Sequence, residues 1–253
     1  MTDGVIVPGN EQRDLFDFFE GDCWEANCKR GGYNQLNKLK AKNPHLKTFI
    51  SCGGWEMGAT KFSDMALAQK GRTKFSKSIA KYVKEWGFDG IDIDWEFPVT
   101  AGGDGGGRPE DKQNYNLFLK TLRETMNTAG KKDGKQYYVT AATSARQSDM
   151  INVEYNNFYE YLDWINLMTY DFHVVGMYYH GSNYNAGLYP SPKDPSPEPS
   201  KSKDNIDGAV KSLIDFGVPK EKIMVGVGSY GRGWAGVDTP PFSNYSGAPY
   251  GTW

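Results

Sequence analysis

Hydrophobic and polar positions follow two rhythms along this chain. Short runs, either alternating or continuously apolar, occupy 46–52, 88–95, 137–143, 164–169 and 223–229 and predict strands. Between them the apolar residues recur at helical spacing. Phe75, Ile79, Val83 and Trp86 line one face of a helix predicted over 72–86, and Tyr115, Phe118, Leu119, Leu122 and Met126 do the same over 110–129. Ile206, Ala209, Val210 and Leu213 mark a third helix over 205–216, with Gly217 as its stop signal, and a shorter helix is expected across 35–42. Strand–helix–strand alternation implies an α/β fold with a parallel sheet and right-handed crossovers.

Neither an internal repeat nor a domain boundary interrupts this alternation, so a single domain is expected over 1–253. That length matches the roughly 250 residues of a complete (β/α)8 barrel. Only five strands are strong, however, and two loops take up much of the chain. One, 101–112, is glycine-rich, but no Gly-Lys-Ser/Thr follows Gly107, which argues against a phosphate loop. The other, 191–203, is rich in Pro, Ser and Lys and has strand-like sequence on both sides, so it reads as a long loop rather than a linker. Gly226-Val227-Gly228-Ser229-Tyr230-Gly231 has dinucleotide-loop spacing, yet the sequence after it, Trp234 to Pro241, cannot open a helix.

Composition narrows the function classes. A formal net charge of −2 argues against a nucleic-acid partner, and no stretch approaches the roughly 20 apolar residues of a membrane span. Met1 to Gly4 lacks the features of a secretory signal. Of the three cysteines, Cys23 and Cys28 are close enough to pair in an oxidising compartment, and Cys52 reads as a buried thiol. His45, His173 and His180 lack metal-ligand spacing, and Asn244-Tyr245-Ser246 is a glycosylation sequon, a common match. An aromatic fraction of 14% calls for a use.

Chemistry concentrates in Asp89-Gly90-Ile91-Asp92-Ile93-Asp94-Trp95-Glu96-Phe97. In a strand, Asp92, Asp94 and Glu96 share one face while Ile91, Ile93 and Trp95 share the other, with successive carboxylates roughly 6.5–7 Å apart. Acids on the interior face of a barrel are costly unless they share protons and hydrogen bonds, so Asp92 and Asp94 are expected to titrate as a pair. Glu96, last in the strand, falls at the C-terminal rim and is the candidate general acid. A solvated acidic strand and a Ca²⁺ or Mg²⁺ site remain the competing readings.

Asp89-x-x-Asp92-x-Asp94-x-Glu96 resembles the signature of glycoside hydrolase family 18, the chitinases and their relatives. Three further motifs stand in the family's order: Ser51-Cys52-Gly53-Gly54-Trp55, Met168-Thr169-Tyr170-Asp171 and Tyr230-Gly231-Arg232-Gly233-Trp234. The resemblance implies a (β/α)8 TIM barrel, incomplete in this chain: about five or six of eight strands, the first two and the last missing, with about 236–253 starting a small insertion domain. Lacking part of its wall, such a chain is expected to be poorly stable and weakly active.

By the same resemblance the reaction is hydrolysis of β-1,4-linked N-acetylglucosamine polymers by a retaining, substrate-assisted route. Glu96 would act as general acid and base, Asp94 would hold the substrate acetamido group with Asp92 beneath it sharing a proton, and Tyr170 would donate its hydroxyl to that group. Trp55, Phe97, Met168, Asp171, Tyr230 and Arg232 would bind the sugar. No metal and no cofactor is implied, the partner is chitin or a chitooligosaccharide, and a secreted monomer is expected. The segment after Phe172 departs from the family pattern; Tyr178 or Tyr179 could supply the aromatic usually found there. A non-catalytic chitin-binding protein and an endo-N-acetylglucosaminidase are the alternatives.

Overall fold

The structure, a computed structural model, describes residues 1, 3–25, 28–100, 104–176, 181–238 and 241–249. Five strands, β1 (Phe49–Gly53), β2 (Gly90–Asp94), β3 (Tyr138–Ser144), β4 (Trp164–Met168) and β5 (Ile223–Val225), form one parallel sheet in sequence order. Helices α1 (Gly31–Lys42), α2 (Thr60–Leu67), α3 (Gln69–Trp86), α4 (Asp111–Asp133), α5 (Gln147–Met150), α6 (Tyr155–Phe158), α7 (Ser200–Lys203) and α8 (Ile206–Asp215) lie before and between them. All five strands predicted from the sequence are present, and among the described residues the sheet does not close on itself.

Element ends differ from expectation for physical reasons. Phe88 and Trp95 extend the apolar run of β2 because both are buried, yet neither is in the ladder. β5 stops at Val225, although the Gly226 N–H still donates to the Leu167 carbonyl at 2.9 Å before the chain turns away. α4 continues to Asp133 and ends at Gly134, whose φ of 65° closes the last turn. α2 was not expected. It begins at Thr60 with Ala59 as its N-cap, buries Phe62, Met65 and Ala66, and is separated from α3 by the extended residue Ala68. The carboxylate of Asp104, in the glycine-rich loop, accepts the N–H groups of Ala59 (2.9 Å) and Thr60 at the start of α2. That loop therefore caps a helix. The 191–203 stretch holds only the short α7, and just after it the N–H groups of Ile206 and Asp207 donate to the carbonyls of Gly187 and Leu188.

Alternation along the strands separates two environments. On the helix side Ile91, Ile93, Trp95, Val139, Ala141, Ile165 and Leu167 are buried with Phe62, Phe75, Ile79, Val83, Phe118, Leu122 and Met126. Each of the Val, Leu, Ile, Phe and Met side chains among them contributes roughly 1.5–3 kcal/mol of transfer free energy. The other face is layered. At the N-terminal end of the strands Phe49, Tyr138 and Trp164 pack ring against ring, with centroids 5.4–6.0 Å apart. Gly90 sits at this level, where an added Cβ would lie 2.5 Å from Phe49 Cε1, so only glycine leaves the ring its place. Ser51, Asp92, Thr140 and Asn166 form a polar layer above the rings, and Asp94, Glu96 and Met168 come last, toward the C-terminal ends.

Beyond β5 the chain folds back on itself, with antiparallel bridges Ala235–Gly247 and Gly181–Asn244. Cys23 and Cys28 form a disulfide with Cα atoms 5.9 Å apart, and Cys52 is a free, buried thiol. No helix among the described residues is long and apolar enough to cross a membrane.

Candidate active site

The acids of β2 divide by height along the strand. Asp89 belongs to the foot of the sheet, where it accepts the Thr48 N–H at 2.8 Å and pairs with Lys40 at 2.6 Å. Its work is to join β1, β2 and α1, far from the strand's other end. Asp92 is locked in the polar layer by three donors: Ser51 Oγ at 2.9 Å on Oδ2, and Thr140 Oγ1 (2.6 Å) and Asn166 Nδ2 (2.9 Å) on Oδ1. Asn166 is itself oriented by Trp164, whose indole N–H donates to its Oδ1 at 3.0 Å. Among the described residues no hydrogen bond joins Asp92 to Asp94; the hydrogen-bond partners of Asp92 are these three donors.

Asp94 is less satisfied. Its Oδ1 is buried without a hydrogen-bond partner, and burial together with the charge of Asp92 pushes its pKa up to about 6. The chain of β1 passes hard against it: the Gly54 N–H donates to the Asp94 carbonyl at 2.9 Å. Gly53 has φ 135°, and a Cβ there would stand 1.8 Å from the Asp94 carbonyl oxygen. The Gly53-Gly54 pair is what lets two strands converge at this level.

Glu96 lies just past the ladder, and the peptide bond joining it to Phe97 is cis. Burial, then the charges of Asp94 and Asp171, push its pKa up to about 7, against the Trp55 backbone N–H and the Arg146 charge, which favour the carboxylate. Trp55 begins a single 3-10 turn after β1 and leaves its indole 54% exposed. Phe97 is 8% exposed and lies beneath Arg146, whose Cζ is 6.0 Å from the ring centroid.

β4 supplies the facing wall. Met168 ends it on the same face as Asn166 and Trp164. Tyr170 follows, half-buried, and its phenol pKa is raised by burial and then by the charges of Asp94, Glu96, Asp171 and Asp92, which it faces. Asp171 takes up a left-handed conformation, φ 57°. Its carboxylate accepts the Tyr230 hydroxyl on one oxygen and Arg232 Nε and Nη2, both at 2.7 Å, on the other. That hydrogen bond raises the Arg232 pKa, and burial together with the same carboxylate raises that of Tyr230. Trp234 packs edge to face with Tyr245, centroids 4.8 Å apart.

Four residues of this region carry no motif and were not expected from sequence: Thr140 and Asn166 on Asp92, Arg146 beside Phe97, and Asn185 on Asp171. Arg146 is held at 3.1 and 3.0 Å by Asp149, which also accepts from Ser144 Oγ at 2.8 Å. The side-chain alternation of a strand places Thr140 and Asn166 on the inner face, a signal readable in the sequence; Arg146 and Asn185 lie in loops and give none. Tyr178 and Tyr179 lie outside the described residues. Among those residues no group of three or more His, Cys, Asp or Glu side chains gathers so as to hold a metal ion. The arrangement offers a proton donor titrating near neutrality, a buried carboxyl one layer below it, a phenol facing both, and a carboxylate–phenol–guanidinium cluster alongside.

Comparison with known proteins gives the same assignment as the motifs. The model of the glycosyl hydrolases family 18 matches residues 3–251. Chitinase A1 of Niallia circulans is 40% identical over 259 aligned positions, covering all of this chain and 36% of the relative. Among solved structures, chitinase ChiA74 from Bacillus thuringiensis superposes with a TM-score of 0.88 at 40% identity, over 95% of this chain and 39% of that one. The Group IV chitinase of Ostrinia furnacalis, solved in complex with allosamidin, gives 0.74 at 32% identity, over 86% of this chain and 56% of that one. The chain thus spans well under two thirds of the length of these relatives. It belongs to glycosyl hydrolase family 18.

Proposed function

We propose that this chain carries the catalytic centre of a chitinase, which hydrolyses β-1,4-linked N-acetylglucosamine polymers by a retaining, substrate-assisted mechanism. The observation that carries the reading is Glu96: a carboxyl at the mouth of the sheet with a pKa near 7, above an Asp94 also held high. A group titrating there can be protonated before the reaction and ionised within it. Glu96 gives its proton to the glycosidic oxygen as the C1–O bond breaks. The carbonyl oxygen of the substrate's own 2-acetamido group attacks C1 and closes an oxazolinium ring. Asp94 accepts the acetamido N–H and offsets the cation, and the Tyr170 hydroxyl holds the acetamido group in the attacking pose. Water then adds to C1 and loses its proton to the Glu96 carboxylate, which restores the acid and retains the anomeric configuration.

Trp55 offers an exposed ring to a sugar face, Met168 and the edge of Phe97 line the floor, and Asp171, Tyr230 and Arg232 supply polar contacts. The three relatives named above are chitinases, which supports chitin as substrate. The Cys23–Cys28 disulfide supports an oxidising, extracellular location, and the chain is read as monomeric. Residues 236–253 are read as the start of an inserted unit, which the Ala235–Gly247 bridge supports.

The decisive experiment is Glu96→Gln assayed on chitooligosaccharides. Turnover is expected to fall by about 10²–10⁴-fold while binding, measured by calorimetry, stays within a few-fold of the unsubstituted chain. A variant that kept most of its turnover would refute the mechanism. Initial product of inverted configuration in the unsubstituted chain would refute the retaining route.

A further inference from the structure

We infer that Asn185 is a positioning residue for the sugar-binding cluster, an inference that rests on the function proposed above. Asp171 is one of four non-glycine residues with a positive φ among the described residues, and its side chain is the hub that gathers Tyr230 and Arg232. A left-handed aspartate persists only where its surroundings hold it there. Asn185 does so from both sides of one residue. Its side-chain Oδ1 accepts the Asp171 N–H at 3.1 Å, and its backbone carbonyl accepts the N–H of the next residue, Phe172, at 3.2 Å.

The same side chain reaches the other half of the cluster. Asn185 Nδ2 donates to the backbone carbonyl of Tyr230 at 3.4 Å. The orientation of the amide is therefore fixed by its partners, since an N–H needs the oxygen and a carbonyl needs the nitrogen. Asn185 thus fastens the chain leaving β4 to the chain leaving β5 at the point where Tyr230 and Arg232 must meet Asp171. The loop that carries it is tied down on both flanks. Asn183 Nδ2 donates to Asp194 at 2.9 Å, and the carbonyls of Gly187 and Leu188 accept the first N–H groups of α8. A side chain on so anchored a loop acts as a fixed spacer. It touches neither Glu96 nor Asp94, so its effect falls on binding rather than on proton transfer.

The test is the kinetics of Asn185→Ala on a soluble chitooligosaccharide, alone and combined with Tyr230→Phe. Alone it is expected to raise KM about tenfold with kcat changed less than about threefold, the loss of one polar network in binding. On the Tyr230→Phe background, where the cluster is already broken, the further rise is expected to be about twofold or less, because coupled residues are not additive. An unchanged KM, or an equal rise on both backgrounds, overturns the proposal. Asn185→Asp keeps the acceptor for Asp171 but not the donor for Tyr230; an intermediate rise supports the proposal and no rise overturns it, even if the alanine variant does not fold. An unsubstituted chain that neither cleaves nor binds the oligosaccharide would overturn the functional reading and this proposal together, whereas normal activity with indifferent Asn185 variants overturns this proposal alone.

Discussion

Glu96 and Asp94 owe their raised pKa values chiefly to burial, and each is raised further by a neighbouring acid. In the proposed mechanism Glu96 must start protonated, so kcat/KM is expected to decline as pH rises through about 7, the value to which its pKa is pushed. Arg146 pulls the other way. Its charge favours the Glu96 carboxylate, so Arg146→Gln should move the alkaline limb to higher pH, and a pH–rate profile checks this directly. An unmoved or lowered limb would show that Arg146 does not act on the acid. At this scale the sequence was legible where residues repeat a spacing: Asp92, Asp94 and Glu96 fall on one face because strands alternate. The same alternation puts Thr140 and Asn166 on the inner face, but their meeting on Asp92 depends on register between strands, and Arg146 and Asn185 lie in loops that no local pattern announces.

At the scale of elements, the close approach of β1 and β2 is the feature most exposed to a single change. Gly53→Ala places a methyl group within the Asp94 carbonyl and asks a non-glycine residue to hold φ 135°. Strain of this kind costs about 1–3 kcal/mol, and the clash adds to it. Urea denaturation is expected to show a lowered midpoint, and turnover should fall too because Asp94 and the Trp55 turn move together. A variant with native stability and turnover would mean that β1 and β2 separate freely here. The sequence exposed the strands and long helices through their periodicity. It concealed α2, whose apolar positions Phe62, Met65 and Ala66 span little more than one turn, and whose start is capped by Asp104 from 44 residues away. Strand ends were misplaced because burial continues past the ladder, as at Trp95.

For the whole molecule, the stacked layers set an electrostatic load that changes with pH. The folded Glu96 binds its proton more tightly than in the unfolded chain, with a pKa of about 7 against the ordinary 4.5. Its contribution is therefore fully present below about pH 4.5 and is lost as pH rises through 7. Glu96→Gln removes this titration. The melting temperature of the variant relative to the unsubstituted chain is expected to be higher at pH 8 than at pH 4, and a pH-independent difference would contradict the raised pKa. Parallel order was readable from strand–helix alternation. The layering was not, because Phe49, Tyr138 and Trp164 lie far apart in sequence and meet only through register. Finally, the four acids in and beside β2 answer to different demands. Asp89 fastens the foot of the sheet, Asp92 completes a layer of hydrogen bonds across four strands, and in the proposed mechanism only Asp94 and Glu96 act on the substrate. As a signal for classifying unknown chains, the motif therefore carries two messages of unequal length: its first half reports that a chain can build this sheet, and its second half reports what the sheet is for. A chain that kept Asp89 and Asp92 but had lost Glu96 would still announce the architecture while having nothing left to say about catalysis.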